Sequence, residues 1–292
     1  MNATVAITGY ASLDHVAMLD SVPTPGRTST IVSRSEDAWP RLGGSPAYVA
    51  AALVAGGIAD AVPVSWVGDD QAGEHYVEQL RSRHIPTGGV EIVSGARTPM
   101  AILAYDPHGG CSCLYEPGMP ADLTLSAAQT RLIVEAGWVC VTIGPVGATR
   151  AVLETLRPET NLAWIVKNDP RAMPPDLASR LAGRADVIFH SQAEKGFLAA
   201  ARAGASNVRA GQIVIETRGR GGAVLKRNGV MTSVSTSPIE CPDPTGAGDT
   251  FAGGVIAALA KGETDMRAVV EAGHRAAGAL LGARQTNLME SA

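Results

Sequence analysis

The sequence predicts an α/β fold, with a mostly parallel central sheet covered by helices on both faces and a second, smaller sheet projecting from it. Two observations carry this. Short β-branched runs alternate with Ala/Leu-rich helical stretches along most of the chain, the pattern of βαβ crossovers. Two stretches, residues 16–39 and 88–115, break that alternation with Thr, Ser, Pro and Gly and with short strand-like pieces. The chain has 292 residues, of which 46% are hydrophobic and 18% charged, so it can bury a sizeable core in one large domain or two modest ones.

Taken in order, Val5-Ala6-Ile7-Thr8-Gly9 reads as the first strand. A helix is expected over residues 46–55. It lies within the longest uncharged run, 42–59, which approaches the length of a membrane span. The pairs Gly43-Gly44 and Gly56-Gly57, with Pro46 near the start, cut that run to roughly three turns, the length of a buried globular helix. Residues 62–67 read as a strand and 72–83 as a helix ended near Pro86, with Asp69-Asp70 as its N-cap pair. In the irregular middle, strand-like pieces at 90–93, 100–105 and 113–115 suit the small sheet. The alternation then resumes. Strands are expected at 138–143, 162–166, 186–190 and 212–216, and helices at 127–135, 148–156, 177–181 and 193–203.

The net charge of −4 argues weakly against nucleic acid or an anionic membrane as the main partner. The 4 cysteines are too few for a disulfide scaffold, and Cys111-Ser112-Cys113 without a second pair lacks the spacing of a zinc site. Met1 to Tyr10 carries no basic residue and runs directly into a strand pattern, so no signal peptide is expected and the reading is cytoplasmic.

The strongest chemical signal is Asp243-Pro244-Thr245-Gly246-Ala247-Gly248-Asp249-Thr250, followed by an apolar, Ala-rich helical stretch at 251–260. Glycines ahead of a helix permit a tight turn and leave backbone N–H groups uncovered at its positive end, which makes an anion site suited to phosphate. Asp249 at its mouth has two readings. It caps the helix, or it is a general base that takes the proton of an alcohol attacking a phosphoryl group. Neither the Gly-Lys-Ser/Thr phosphate loop nor the protein-kinase glycine loop occurs.

These residues resemble the C-terminal signature of the ribokinase-like (PfkB-type) carbohydrate kinase family. Gly43-Gly44-Ser45-Pro46-Ala47 resembles its N-terminal Gly-Gly motif, Val67-Gly68-Asp69-Asp70 with Gly73 the segment after it, and Thr217-Arg218-Gly219 with Gly222 its nucleotide loop. The resemblance spans nearly the whole chain. It implies a ribokinase-like three-layer sandwich with a small β-sheet lid. The α/β domain would take residues 1–13, 40–87 and 116–292, and the lid 14–39 and 88–115. The implied activity is transfer of the γ-phosphate of ATP to a hydroxymethyl group of a sugar or nucleoside. By position Asp249 would be the base and Gly246, Ala247 and Gly248 the anion hole. Asp14, with the backbone of Gly43 and Gly44, would bind substrate hydroxyls, and Thr217, Gly219 and Gly222 would line the nucleotide site. Asp243 and Thr245 would hold a monovalent cation such as K+, and dimerisation is expected through the lid.

Three positions depart from the family's pattern. Ser191-Gln192-Ala193-Glu194 stands where an Asn-x-x-Glu is usual, so Glu194 and Ser191 are expected to organise Mg2+ through water with altered affinity. Tyr48 replaces a sugar-contacting Asn and offers a ring that could stack on substrate. His274 replaces an Asn beside the adenine. Outside the resemblance, Asp14 alone reads as a turn residue, Gly219 to Gly222 as a hairpin turn, and Lys167 and Arg171 as part of a solvated loop, with phosphate or substrate binding as the alternative. Rival readings are a nucleoside kinase of the same family and a non-catalytic binding protein that lost its metal chemistry at Ser191. A dinucleotide-binding oxidoreductase is disfavoured because Gly9-Tyr10-Ala11-Ser12-Leu13 lacks the Gly-x-Gly-x-x-Gly turn.

Overall fold

A computed structural model describes residues 4–34 and 36–290. The first strand, β1 (Val5–Thr8), is buried along its whole length because helices cover both of its faces. Next come β2 (Ser12–Leu19), β3 (Ile31–Ser33), β4 (Arg41–Gly43), α1 (Ser45–Ala55), β5 (Ala61–Gly68), α2 (Gln71–Ser82) and β6 (Val90–Val93). The hairpin of β7 (Met100–Tyr105) and β8 (Cys111–Glu116) precedes the regular alternation. That alternation runs α3 (Ala127–Glu135), β9 (Trp138–Val141), α4 (Val146–Thr155), β10 (Asn161–Ile165), α5 (Pro175–Arg184), β11 (Val187–Ser191), α6 (Lys195–Ala203) and β12 (Ile213–Thr217). A second hairpin, β13 (Ala223–Arg227) and β14 (Val230–Val234), leads to α7 (Ala247–Ala260) and α8 (Met266–Glu290).

The large sheet has nine strands in the order β14-β13-β12-β11-β10-β9-β1-β5-β6. Its pairings from β12 to β6 are parallel, and the β13–β14 hairpin closes one edge antiparallel. Side chains alternate between two cores, as the period of two in a strand demands. Val5 and Ile7 of β1 enter the core under α1, α2, α7 and α8, whereas Ala6 enters the one under α3 to α6. Among the described residues no helix is long and apolar enough to cross a membrane.

The small sheet has the order β3-β2-β7-β8, with β4 paired to β2. Its composition corrects two expectations. Residues 90–93, expected there, form β6 and pair with β5 at the edge of the large sheet. Asp14 lies within strand β2, opposite Arg41 of β4 and Ala101 of β7, not in a turn. The Asp69-Asp70 pair also divides its work. Asp70 caps α2, accepting from Gly73 N–H, while Asp69 accepts from Ser94 Oγ and Gly95 N–H and fastens the loop after β6. The β13–β14 hairpin was not expected. Its turn at Asn228-Gly229, both with positive φ, is the local signal that marks it.

Candidate active site

Helix α7 starts four residues earlier than its apolar stretch suggests, so the glycine turn forms its first turn. Gly246 is the N-cap, in the left-handed region at φ 75°, and no side chain caps the helix. The Ala247 N–H closes the turn on the Pro244 carbonyl. The two flanking glycines serve different purposes. A Cβ on Gly246 would lie 2.6 Å from the Tyr48 ring, whereas one on Gly248 would meet nothing within 4 Å. Gly246 is therefore required by packing and backbone conformation, and Gly248 faces open space.

That space is a cavity of about 1020 Å3, lined by Ala247, Gly248 and Phe251 of α7, His274 of α8, and Thr217, Gly219 and Gly222 at the β12–β13 connection. Tyr105 and residues 106–109 of the small sheet overhang it. The structure thus brings the four nucleotide-site residues of the sequence analysis to one opening with the glycine turn. His274 stacks at a tilt on Phe251, 5.3 Å between ring centres. Burial pushes its imidazole below the usual value and so favours the uncharged ring, an effect that the Glu271 carboxylate partly offsets.

Asp249 occupies the third position of α7 and is 6% exposed. It caps nothing, and its Oδ1 has no hydrogen-bond partner. Lys167 Nζ stands 3.5 Å from that oxygen. This corrects the solvated-loop reading of Lys167: the chain beyond β10 turns the ammonium inward. The Asp249 carboxylate raises the Lys167 pKa against the opposing effect of burial, and Glu194 adds to the rise, so the lysine stays charged. Glu194 is in turn positioned by the Ser191 N–H, which donates to its Oε2 at 2.7 Å. Asp249 and Glu194 of the motif at 191–194 therefore both act on Lys167. No motif singles out Lys167, and only its position just past a strand end hints at a site.

A second group of residues lies under the small sheet. Asp14 is buried, accepts from Ser12 Oγ at 2.7 Å, and takes a hydrogen bond from the Tyr48 hydroxyl at 3.3 Å. Burial raises its pKa, and the Ser12 hydrogen bond, Arg41 and Tyr48 counter the rise. Gly43 is needed beside it, because a Cβ there would fall 2.2 Å from the Asp14 carboxyl carbon. Gly44, at φ 80°, starts α1. Tyr48 is placed differently from the stacking residue expected. Its ring packs under Gly246 and beside the Arg284 guanidinium, and its hydroxyl accepts from Arg41 and Arg284. Burial pushes the phenol up to about 12, so it remains a donor to Asp14. The aromatic pair on the Asp14 side is instead Tyr10, after β1, and Tyr115 of β8, with ring centres 6.2 Å apart.

Asp243 and Thr245 do not fit a monovalent cation. The Asp243 carboxylate is 2.6 Å from Arg41 Nη2, and its Oδ1 accepts from the Thr245 N–H. The carbonyls of Asp243 and Thr245 both accept from Arg284 Nη1, at 2.9 and 2.5 Å. The oxygens that would surround an ion are already in use. For Mg2+ the donor set is compatible. Among the described residues no three His, Cys, Asp or Glu side chains cluster as a metal site, and one carboxylate with a neighbouring hydroxyl suits an ion that keeps several waters and binds mainly to phosphates.

Comparison with known proteins gives the family and the fold. Residues 2–292 match the pfkB family carbohydrate kinases. A nucleoside kinase of Methanothermobacter thermautotrophicus is 26% identical over 87% of this chain and 82% of its own. A fructokinase of Klebsiella pneumoniae is 25% identical over 75% and 76%. Among solved structures, ribokinase from Cryptococcus neoformans var. grubii serotype A in complex with ADP superposes with a TM-score of 0.79, at 21% identity over 96% of this chain and 94% of that one.

Proposed function

The chain belongs to the pfkB family of carbohydrate kinases and is a phosphotransferase, and on that premise we propose that it moves the γ-phosphoryl group of ATP to a hydroxymethyl group of a sugar-like molecule. The observation that carries this reading is the buried Oδ1 of Asp249, which makes no hydrogen bond and is met only by the Lys167 ammonium at 3.5 Å, beside a glycine turn that opens on a nucleotide-sized cavity. Asp249 takes the proton of the acceptor hydroxyl as its oxygen bonds to the γ-phosphorus and the bond to the ADP oxygen breaks. Backbone N–H groups at Gly246 and Gly248 receive the phosphoryl oxygens, whose charge is spread in the transition state, while the Ala247 N–H, expected in the same role, donates to the Pro244 carbonyl and shapes the turn. Lys167 adds a fixed positive charge on the strand side of the same carboxylate.

Asp14, with the Gly43 and Gly44 backbone, accepts and donates to substrate hydroxyls. Thr217, Gly219, Gly222 and His274 enclose the nucleotide. Glu194 and Ser191 would hold Mg2+ through water, and that ion supplies charge neutralisation of the phosphates. The small sheet acts as the lid that excludes water as a competing acceptor. Exposed Ile31, Val32 and Leu114 on that sheet give it an apolar surface for a homodimer. The cytoplasm is the expected location.

A nucleoside acceptor is the second reading. The Tyr10–Tyr115 pair supports it, since two adjacent rings, with Tyr115 close enough to Asp14 to feel its charge, suit a planar base. The test is incubation with ATP and Mg2+ and a panel of ribose, fructose, ketosugar acids and nucleosides, with mass detection of the phosphorylated product. Product from one class assigns the acceptor. Saturable ligand binding without product from any of them returns the protein to the non-catalytic reading.

A further inference from the structure

We infer that Arg284 is a built-in cation that takes the place of a monovalent metal ion beside the phosphate cradle, so that this protein functions without K+. Helix α8 places the guanidinium over the loop 243–246 that enters α7. The two helices are held in close approach, since a Cβ on Gly254 would lie 2.7 Å from the Ala272 carbonyl. A dehydrated alkali ion needs a shell of oxygens, typically carbonyls, to replace its water. Here two such carbonyls, of Asp243 and Thr245, receive Nη1 of Arg284. The same nitrogen is 3.6 Å from Asp243 Oδ2, and Nη2 donates to the Tyr48 hydroxyl at 3.4 Å. Arg284 is 8% exposed, so it is enclosed with these partners.

Charge balance points the same way. The carboxylates of Asp14 and Asp243 face the guanidiniums of Arg41 and Arg284, two against two, and an added ion would enter a group that is already neutral. A guanidinium differs from K+ in one functional respect: it is tethered to α8 and cannot exchange with solvent. The loop that shapes the cradle is then fixed by the fold, whatever the ionic composition of its surroundings.

The experiment compares wild type and Arg284→Ala in KCl, NaCl and choline chloride at equal ionic strength. The readouts are the thermal unfolding midpoint and the ADP dissociation constant by calorimetry. Neither needs turnover, so a failure of the kinase reading leaves them interpretable. Wild type is expected to give the same midpoint and ADP affinity in all three salts. Arg284→Ala is expected to lose ADP affinity about tenfold or more in choline and to recover it saturably in KCl, because K+ can enter the vacated carbonyl shell. Arg284→Lys, which keeps the charge, is expected to show no K+ response. A saturable, K+-specific rise in the wild-type midpoint or ADP affinity overturns the inference, and it is decisive even where Arg284→Ala fails to fold. Wild-type ADP affinity and midpoint in Arg284→Ala in choline also overturn it.

Discussion

The ammonium of Lys167 stands 3.5 Å from Oδ1 of Asp249, a buried oxygen that no hydrogen bond reaches. Leaving a buried carboxylate oxygen without a hydrogen bond is costly, and such groups concentrate where chemistry uses them. The pair joins the end of one strand segment to the first turn of α7, so the cation and the uncommitted lone pair are held by separate rigid elements. An acceptor hydroxyl donating to Oδ1 would supply the missing partner.

Asp249→Asn removes the proposed base while keeping shape and the glycine turn. Turnover should fall by about 10²–10⁴-fold, while ADP affinity and the unfolding midpoint stay near wild type. Near-normal turnover would take Asp249 out of the mechanism.

Lys167→Met removes the charge and keeps much of the stem. A kcat loss of about 10²–10³-fold is expected, the scale of deleting one electrostatic stabiliser, with a smaller change in KM for ATP. Lys167→Arg should recover part of it. Equal losses in both variants, confined to the midpoint, would reduce Lys167 to a structural role.

Two alanine substitutions in the glycine turn should separate packing from phosphate access. Gly246→Ala forces a side chain at φ 75° into the Tyr48 ring and should destabilise the fold by about 1–3 kcal/mol in denaturant melts. Gly248→Ala puts its methyl into open space and should leave the melt unchanged while weakening ADP binding. The reverse assignment would mean that Gly248, not Gly246, is the packed position.

Asp243 sets an acid limb of stability. Burial opposes its ionisation, but Arg41 and Arg284 overcome this and hold its pKa below the ordinary aspartate value. The unfolded chain therefore binds this proton first as pH falls. The stabilisation is complete above the unfolded value and is lost as pH drops through the folded one. Asp14, raised by burial, contributes with the opposite sign. Denaturant melts from about pH 6 to about pH 3 should show wild type losing stability more steeply than Asp243→Asn. Parallel curves would contradict the assignment of this limb to Asp243.

Local pattern made the glycine turn that opens α7 readable. A glycine turn, an aspartate and an Ala-rich helix lie within residues 243–260, and hydrogen bonding within a few residues is enough to specify such a turn. The strand and helix alternation was readable for the same reason, since burial on both faces leaves runs such as Val5–Thr8 wholly apolar or small. The β13–β14 hairpin was also marked locally, by Asn228-Gly229, although it was not expected.

Lys167, Arg284 and the packing of Tyr48 belong to another category. Lysine past a strand, arginine in a C-terminal helix and tyrosine in a buried helix are each ordinary in sequence. Their partners lie far along the chain, as with Tyr48 and Arg284, which are 236 residues apart. Edge strand β6 is similar: its four residues suit either sheet, and only pairing with β5 assigned it. Short-range periodicity and turn chemistry thus specified the architecture and the glycine turn proposed as the anion site. The charges around that site depend on which strand ends and helix turns meet in space, and long-range packing sets that without leaving a local pattern.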